Sequence, residues 1–402
     1  MESLKEAWEI ALVYDHNLQS VIKKAEAAKK KLSAAKALRL PNLNFNGGYT
    51  VIDDDDPAIK FGGAAIPMAQ DEFLSFSTMA SLPVFTSWAI SNGIAAAESS
   101  LAAAFINQDR EKQDLKLTVA EAYVLVLRST RGLAVAKSHV ESLESHATDV
   151  ENLYSQGFVA VNDLLAAKVS LADAVQKELQ AKNRLDIARS AYNRLLGFPL
   201  TRIVDLVEIK PYRPEQDLET LSRAALDIRH ELKVLTHMIN AMYSNAKTKA
   251  AASRPQIAVS GGYKKTENKY MEPEGAWTAT LGVKWNFFDG GLARHKAGEI
   301  KLQAQALSEK RADVKTLITL QLRHAWLNID ESYKRVEVTQ KALAQGEENL
   351  KVVKDRYQEG LATNTEVLDA ETLRTLSHFN YDSAVYDAAL SNLRLHRAVG
   401  DL

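Results

Sequence analysis

The sequence predicts a mainly α-helical fold with a β-barrel part, laid out as two structural repeats. Three observations predict it. One set of motifs occurs twice in the same order. Two stretches of 67 residues, 87–153 and 290–356, carry helical periodicity without a proline. Four segments of about ten residues alternate apolar and polar side chains, the period of a strand.

The repeat organises everything else. Pro41–Asn42–Leu43 and Gly47–Gly48–Tyr49 return as Pro255–Gln256–Ile257 and Gly261–Gly262–Tyr263, at an offset of 214 residues. Tyr154–Ser155–Gln156–Gly157, followed by Asp163–Leu164–Leu165–Ala166–Ala167, returns as Tyr357–Gln358–Glu359–Gly360, then Glu366–Val367–Leu368–Asp369–Ala370, at an offset of 203. The two offsets differ because the first half has a longer loop between its strands, containing Asp53–Asp56. Repeat 1 is expected over 1–200, a linker over 201–214 and repeat 2 over 215–402. Strands fall at about 41–52, 73–85, 255–265 and 276–288. Long helices fall at about 87–153 and 290–356, and return helices at about 160–197 and 363–399.

Helices of about 17–39 and 231–253 precede the strands. Each long helix would reach ~100 Å at 1.5 Å per residue. Leu322, Ile329, Val336, Leu343, Leu350 and Tyr357 recur every seven residues, and Val119, Val126, Leu133, Val140, Ala147 and Tyr154 do the same. A strict heptad imposes a left-handed supercoil, so these are seams of a coiled coil. Gly157 and Gly360 suit a left-handed turn after each long helix. Asn162 and Thr365 are the expected N-caps of the return helices, with Asp163 and Glu366 in the first turns. Gly197 and Gly400 close those helices.

In 42–51, Leu43, Phe45, Tyr49 and Val51 share one face, opposite Asn42, Asn44, Asn46 and Thr50. Leu74–Val84, Gln256–Lys264 and Trp277–Phe287 alternate likewise. The polar faces are Asn, Ser, Thr and Gly, which suit a watery lumen. Tyr49, Phe85, Tyr263, Trp277 and Trp285 sit near strand ends, as membrane-interface aromatics do. Ten residues is the length of a tilted membrane strand. Four strands cannot close a barrel, and an open edge is prohibitive in lipid. A homotrimer would supply twelve strands and a twelve-column α-barrel. A small soluble sheet with one wet face is the competing reading of the strands. A cytosolic coiled-coil scaffold or a secreted pore-former are competing readings of the chain. A scaffold would be soluble without detergent.

The 50 basic and 51 acidic residues nearly cancel, so no nucleic-acid partner is implied. Zero Cys removes thiolate chemistry and disulfides. The nine His form no His-x-x-x-His pair. No nucleophile–base pair, phosphate loop, metal site or cofactor motif stands out, so the expectation is no enzyme and no cofactor. No run of 18 apolar residues suggests a transmembrane helix. Met1–Glu2–Ser3–Leu4–Lys5 lacks a signal-peptide pattern, so the chain is either cytosolic or lacks a signal peptide that has been removed. The strands favour the second. Asp53–Asp56 is expected to be a solvated loop, without the spaced ligands of a calcium loop.

Together these motifs, in order and twice over, resemble the TolC-like outer-membrane efflux proteins, the outer-membrane factor family. The resemblance spans essentially the whole chain. Asn17–Leu18 and Glu231–Leu232, each after a His, are similar to the family's helix starts before the strand pair. The resemblance implies a homotrimer in the outer membrane of a Gram-negative bacterium, touching outer-membrane lipid. It implies a periplasmic helical extension with an equatorial region at the linker and a closable tip. It further implies a passive exit duct of a tripartite efflux or type I secretion system, with a periplasmic adaptor (membrane fusion) protein and an inner-membrane pump of RND, ABC or MFS type as partners. Gln156, Gly157, Phe158, Glu359, Gly360 and Leu361 then match tip turns that dock the adaptor. Glu366 and Asp369 match the family's entrance acids, with Asp163 the acid kept in the first repeat. Tyr154 and Tyr357 become candidates for tip gating by hydrogen bonds between helices. The family often places an Arg two residues after the second turn glycine. Here that residue is Ala362.

Overall fold

A computed structural model describes residues 1–53, 58–67, 70–212 and 217–402. The elements are α1 (Leu4–Tyr14), α2 (His16–Ala37), β1 (Asn42–Val51), β2 (Ala58–Phe61), β3 (Ala64–Pro67), β4 (Glu72–Phe85), α3 (Ala89–Ser155) and α4 (Val161–Leu196). The second half adds α5 (Leu218–Ile228), α6 (His230–Ala250), β5 (Gln256–Thr266), β6 (Gly275–Lys284), α7 (Leu292–Gln358) and α8 (Asn364–Val399). Of the acidic loop run, Asp54–Asp56 lie outside the described residues, as do 213 and 214 of the expected linker.

The chain divides into two compact units. The first comprises Met1–Ile22, Asn107–Leu232 and Asp313–Leu402. Among the described residues its regular elements are helices, joined by loops, with an isolated parallel bridge between Glu2 and Leu206. Val119, Val126, Leu322, Ile329 and Leu350 of the heptad series are buried, so the seven-residue period marks a packing seam. Tyr123 and Tyr192 are fully buried in the largest core cluster, edge to face at 5.9 Å. The Tyr123 hydroxyl reaches the carbonyls of Glu2 and Val207, both at 2.7 Å, and Tyr192 donates to the Glu2 carboxylate. Asp15 and Arg229, equivalent at the 214 offset, both leave helical backbone, at ψ 119° and 123°, and break the helix into α1/α2 and α5/α6. Arg229 also donates to the carbonyls of Arg397 and Ala398 at the end of α8, at 3.2 and 2.9 Å. Gly197 and Gly400 close α4 and α8 in the left-handed region, at φ +74° and +103°.

The second unit comprises Lys23–Ile106 and Lys233–Ala312. It holds a four-stranded antiparallel sheet in the order β1-β4-β5-β6. Asn42 lies opposite Ser81, Ser81 opposite Ser260, and Gln256 opposite Lys284. All helix connections therefore leave from one end of the sheet and both hairpins turn at the other. Met79 faces Gly262, where a Cβ would run into the Thr78 carbonyl, so only glycine lets the two backbones pair. The alternation in the sequence of the last strand continues to Phe287, but pairing stops at Lys284. Its partner strand begins at Gln256 after Pro255, which has no N–H to continue the ladder. The long first loop holds a hairpin the sequence reading did not anticipate, β2–β3, turned by Gly62 and Gly63 at φ +60° and +88°.

Leu43, Phe45, Leu281 and Val283 on the sheet are about 70% exposed. Among the described residues, strands β1 and β6 each have one unpaired edge. Among the described residues, α3 also contains an 18-residue window of mean hydropathy 1.3, apolar enough by length and composition to cross a membrane. Counting unbroken apolar runs does not detect it, because polar residues interrupt its alanines. Only 22% of that window is buried within the single chain.

Candidate channel entrance at the paired helical turns

The turns α3–α4 and α7–α8 have the same construction. Gly157 and Gly360 sit at φ +79° and +74°. Phe158 N–H donates to the Leu153 carbonyl at 2.9 Å, and Leu361 N–H to the Arg356 carbonyl at 2.8 Å. These are six-to-one closures of a Schellman motif, which satisfy the last free carbonyls of a helix. Gln156 and Glu359 precede the glycines. Phe158 and Leu361 follow them and stand 73% and 64% exposed, a large apolar residue held in water at each apex.

The caps differ from the sequence expectation. α8 starts at Asn364, and its N-cap is Thr363, not Thr365. Thr363 and Glu366 form a capping box, with Glu366 N–H to Thr363 Oγ1 at 3.3 Å and Thr363 N–H to Glu366 Oε1 at 3.2 Å. That reciprocal pair satisfies two orphan donors, which a lone Thr365 cannot do. α4 starts at Val161 after Ala160, which has no side-chain cap, so Asn162 is not the N-cap either. The two return helices are therefore unequally anchored.

Glu366 and Asp369 share one exposed face, three residues apart. Glu366 is committed to its capping box and lies 3.8 Å from Arg356. Arg356 also donates to the Leu361 carbonyl at 2.8 Å. An arginine thus does reach the second turn, from the last turn of α7 rather than from position 362. Asp163 is half-buried, and its carbonyl accepts from Asn364 at 3.1 Å. Tyr357 is wedged between the small cores of both hairpins, edge-on to His146 at 5.3 Å. Its hydroxyl is buried without a hydrogen-bond partner among the described residues. Burial, then Asp163 and Asp149, push its pKa up. Tyr154 is 42% exposed. Among the described residues, no hydrogen bond joins either tyrosine hydroxyl to a neighbouring helix.

Two turns into α8 lies a group the sequence reading missed. Glu371 is fully buried. It accepts from Lys354 of α7 at 2.6 Å and from Ser142 of α3, with His139 and Arg374 at 3.8 and 3.7 Å. Burial alone pushes its carboxyl up. The imidazole of His139 beside it and the bonds from Lys354 and Ser142 outweigh that and bring it down to about 2. His146 on α3 is buried one turn further along and bonds Asn364 at 2.7 Å. Burial lowers its pKa against that bond. The 203 offset carries the signal for this site. Lys354 and Glu371 correspond to Glu151 and Lys168, which pair at 2.8 Å on the surface with the charges exchanged.

The membrane-interface candidates divide between the two ends of the sheet. Tyr49, Tyr263 and Trp277 lie toward the hairpin end, the last two with rings 5.4 Å apart. Phe85 and Trp285 lie at the helix end, where Trp285 donates to the Ser253 carbonyl at 3.2 Å. Trp88, Phe287 and Phe288, also exposed there, were missed because they fall beyond the strands.

Residues 8–198 and 221–401 match the family described as outer membrane efflux protein. The outer membrane protein TolC of Vibrio cholerae is 21% identical over 412 residues, spanning 100% of this chain and 91% of that protein. TolC of Escherichia coli K12 is 20% identical, spanning 100% and 83%. Among solved structures, the outer membrane protein VceC of Vibrio cholerae has a TM-score of 0.86 at 17% identity, covering 99% of this chain and 96% of that one. The CmeC outer membrane channel of Campylobacter jejuni has a TM-score of 0.87 at 14% identity, covering 99% and 85%. These structures share the fold. The family match takes in both repeats, from the N-terminal helices through each sheet pair to the glycine at the end of each return helix, and so this chain belongs to the outer membrane efflux protein family.

Proposed function

We propose that three copies of this outer-membrane efflux protein close a twelve-stranded β-barrel and a helical α-barrel, and that the assembly is a passive exit duct of a tripartite pump. One observation carries the proposal. The four-stranded sheet leaves an edge open on both β1 and β6 and exposes large apolar side chains along its strands. An open edge is not tolerated in lipid, so the sheet is complete only against further copies. β1 runs away from the helix end and β6 runs toward it, so β1 of one copy can pair with β6 of the next in the antiparallel sense used throughout the sheet.

In this reading the paired turns form the periplasmic tip. Glu366 and Asp369, with Asp163, line the entrance and attract cations. The exposed Phe158 and Leu361, flanked by Gln156, Gly157, Glu359 and Gly360, offer an apolar foothold to the helical hairpin of an adaptor protein. An inner-membrane pump supplies the energy. Tyr154 and Tyr357 find hydroxyl partners only across copies. The family is one of efflux proteins rather than of enzymes, and neither fold nor family favours the cytosolic scaffold.

The test is single-channel conductance in a planar bilayer, with a trivalent cation added to either side. The expected result is a stable conductance blocked from one side only, with the block lost in Glu366→Gln/Asp369→Asn. Protein that is soluble without detergent and never conducts would overturn the reading.

A further inference from the structure

We propose that the helix end of the sheet is a basic, aromatic collar that binds the anionic phospholipid headgroups of the membrane leaflet facing the helices. The inference rests on the reading of the sheet as membrane-embedded.

The chain is nearly neutral, but its charge is not evenly placed. Four segments adjoin the helix end of the sheet: 34–42, 85–97, 245–256 and 284–297. They hold eight basic residues and a single acid, Asp289, with Glu98 one residue beyond the second segment. Lys36, Arg39, Lys247, Lys249 and Arg254 arrive on α2, α6 and their exits. Lys284, Arg294 and Lys296 leave through β6 and α7. All eight are exposed. Lys36 is the only one of them with a carboxylate partner among the described residues, Glu98 at 3.4 Å. Asp289 is spent on the start of α7, accepting from the N–H groups of Gly291 and Ala293 at 2.9 and 2.8 Å. The two hairpin loops at the other end carry the opposite balance in sequence, Asp53–Asp56, Asp71, Glu72, Glu267, Glu272 and Glu274 against Lys60, Lys265 and Lys269.

Charge alone would suit any polyanion. The aromatics select a lipid. Trp88, Trp285, Phe287 and Phe288 are interleaved with these bases and are 61%, 59%, 82% and 80% exposed. Rings of this kind settle at the headgroup level, and a juxtamembrane cluster of Lys and Arg beside them reads as an anionic-lipid site. The polypeptide also accepts strain here. Ser87 and Trp88 hold left-handed backbone, φ +48° and +64°, at the positions where the second repeat has Gly290 and Gly291. A tryptophan at a glycine position costs about 1 kcal/mol, and its ring stays 61% exposed, edge-on to Phe85 at 5.3 Å. Cell-wall glycan would recognise the bases but gives no reason to keep four bare rings in water.

The test is quenching of tryptophan fluorescence by brominated lipids in reconstituted vesicles, in a Trp277→Phe background. Of the four tryptophans left, Trp88 and Trp285 report on the collar, and Trp8 and Trp326, on helices away from the sheet, give the unquenched background. Brominated phosphatidylglycerol is compared with brominated phosphatidylcholine. The expected result is a preference for phosphatidylglycerol of roughly 3-fold at low salt, screened away at about 0.5 M salt. The preference should vanish when Lys36, Arg39, Lys249, Arg254, Arg294 and Lys296 are all changed to Gln. If that variant does not fold, the salt titration on the unaltered bases decides alone. Equal quenching by both lipids, or a preference indifferent to salt, overturns the proposal. Salt-sensitive sedimentation with peptidoglycan, without a lipid preference, overturns it in favour of the wall. Absence of quenching by either lipid means the sheet is not in lipid, and the membrane reading falls together with the collar.

Discussion

Glu371 and Glu231 show how far single residues in this chain depart from their ordinary chemistry. Each is a carboxylate taken out of water, which favours protonation, and each is held ionised by cations from other helices. For Glu231 burial is outweighed by the hydrogen bond from Arg397 and the charge of Arg229, giving about 2. Glu371 reaches a similar value through His139, Lys354 and Ser142. Both folded-state values lie below the ordinary glutamate value of about 4.3. Their contribution to stability is therefore complete above about pH 4.5 and is lost as pH falls through the folded values toward 2. Thermal unfolding in detergent should be level from pH 7 to 5 and fall below that, with Glu371→Gln reducing the acid-dependent part. A fall centred near pH 6 would contradict this and point to the histidines. Glu371→Ala leaves Lys354 and Arg374 facing an empty place and should cost about 3 kcal/mol. A melting temperature equal to the parent's would show that the network is not held together by this carboxylate. None of this was legible from Glu371 itself, since a glutamate two turns into a helix is usually solvated.

At the scale of elements, periodicity was the strongest guide, and the ends were the weakest. The heptad positions Val119, Val126, Leu322 and Ile329 are buried because a strict seven-residue spacing keeps one face turned to its neighbour. Strand alternation likewise gave β1 its bounds, Asn42 and Val51. The return-helix caps were misread. A side chain can cap only where its neighbours complete the geometry, and Thr363 has Glu366 three residues on where Thr365 does not. Thr363→Ala should cost about 1 kcal/mol, read as a lower melting temperature, and Ala160→Thr in the first repeat should lose nothing. Trp88→Gly should relieve backbone strain of about 1 kcal/mol while weakening retention in lipid vesicles. A variant that is both less stable in detergent and equally well retained would count against the strain at this position. The β2–β3 hairpin was hidden because its strands are only four residues long, too short for alternation to register.

For the whole molecule the duplication was legible from the first, because offsets of 203 and 214 residues tie the strand starts of the four-stranded sheet and both long-helix turns to a counterpart. What the repeat conceals is where the two halves differ. Lys168–Glu151 is a surface pair and Glu371–Lys354 a buried one, Ala160 stands where Thr363 caps, and Ser87–Trp88 stand where Gly290–Gly291 turn. These differences distinguish a two-repeat chain from two identical ones. The central claim is that the open edges of the sheet meet between copies. The chain has no cysteine, so single cysteines can be placed on both edges without background. Residues of β1 from Asn42 to Gly48 would be scanned against residues of β6 from Thr278 to Lys284, and oxidised products resolved under denaturing conditions. The account predicts a ladder of one, two and three chains that stops at three, formed only by pairs at matching heights. No cross-link from any pair, or a ladder closing at two chains or running past three, would contradict it.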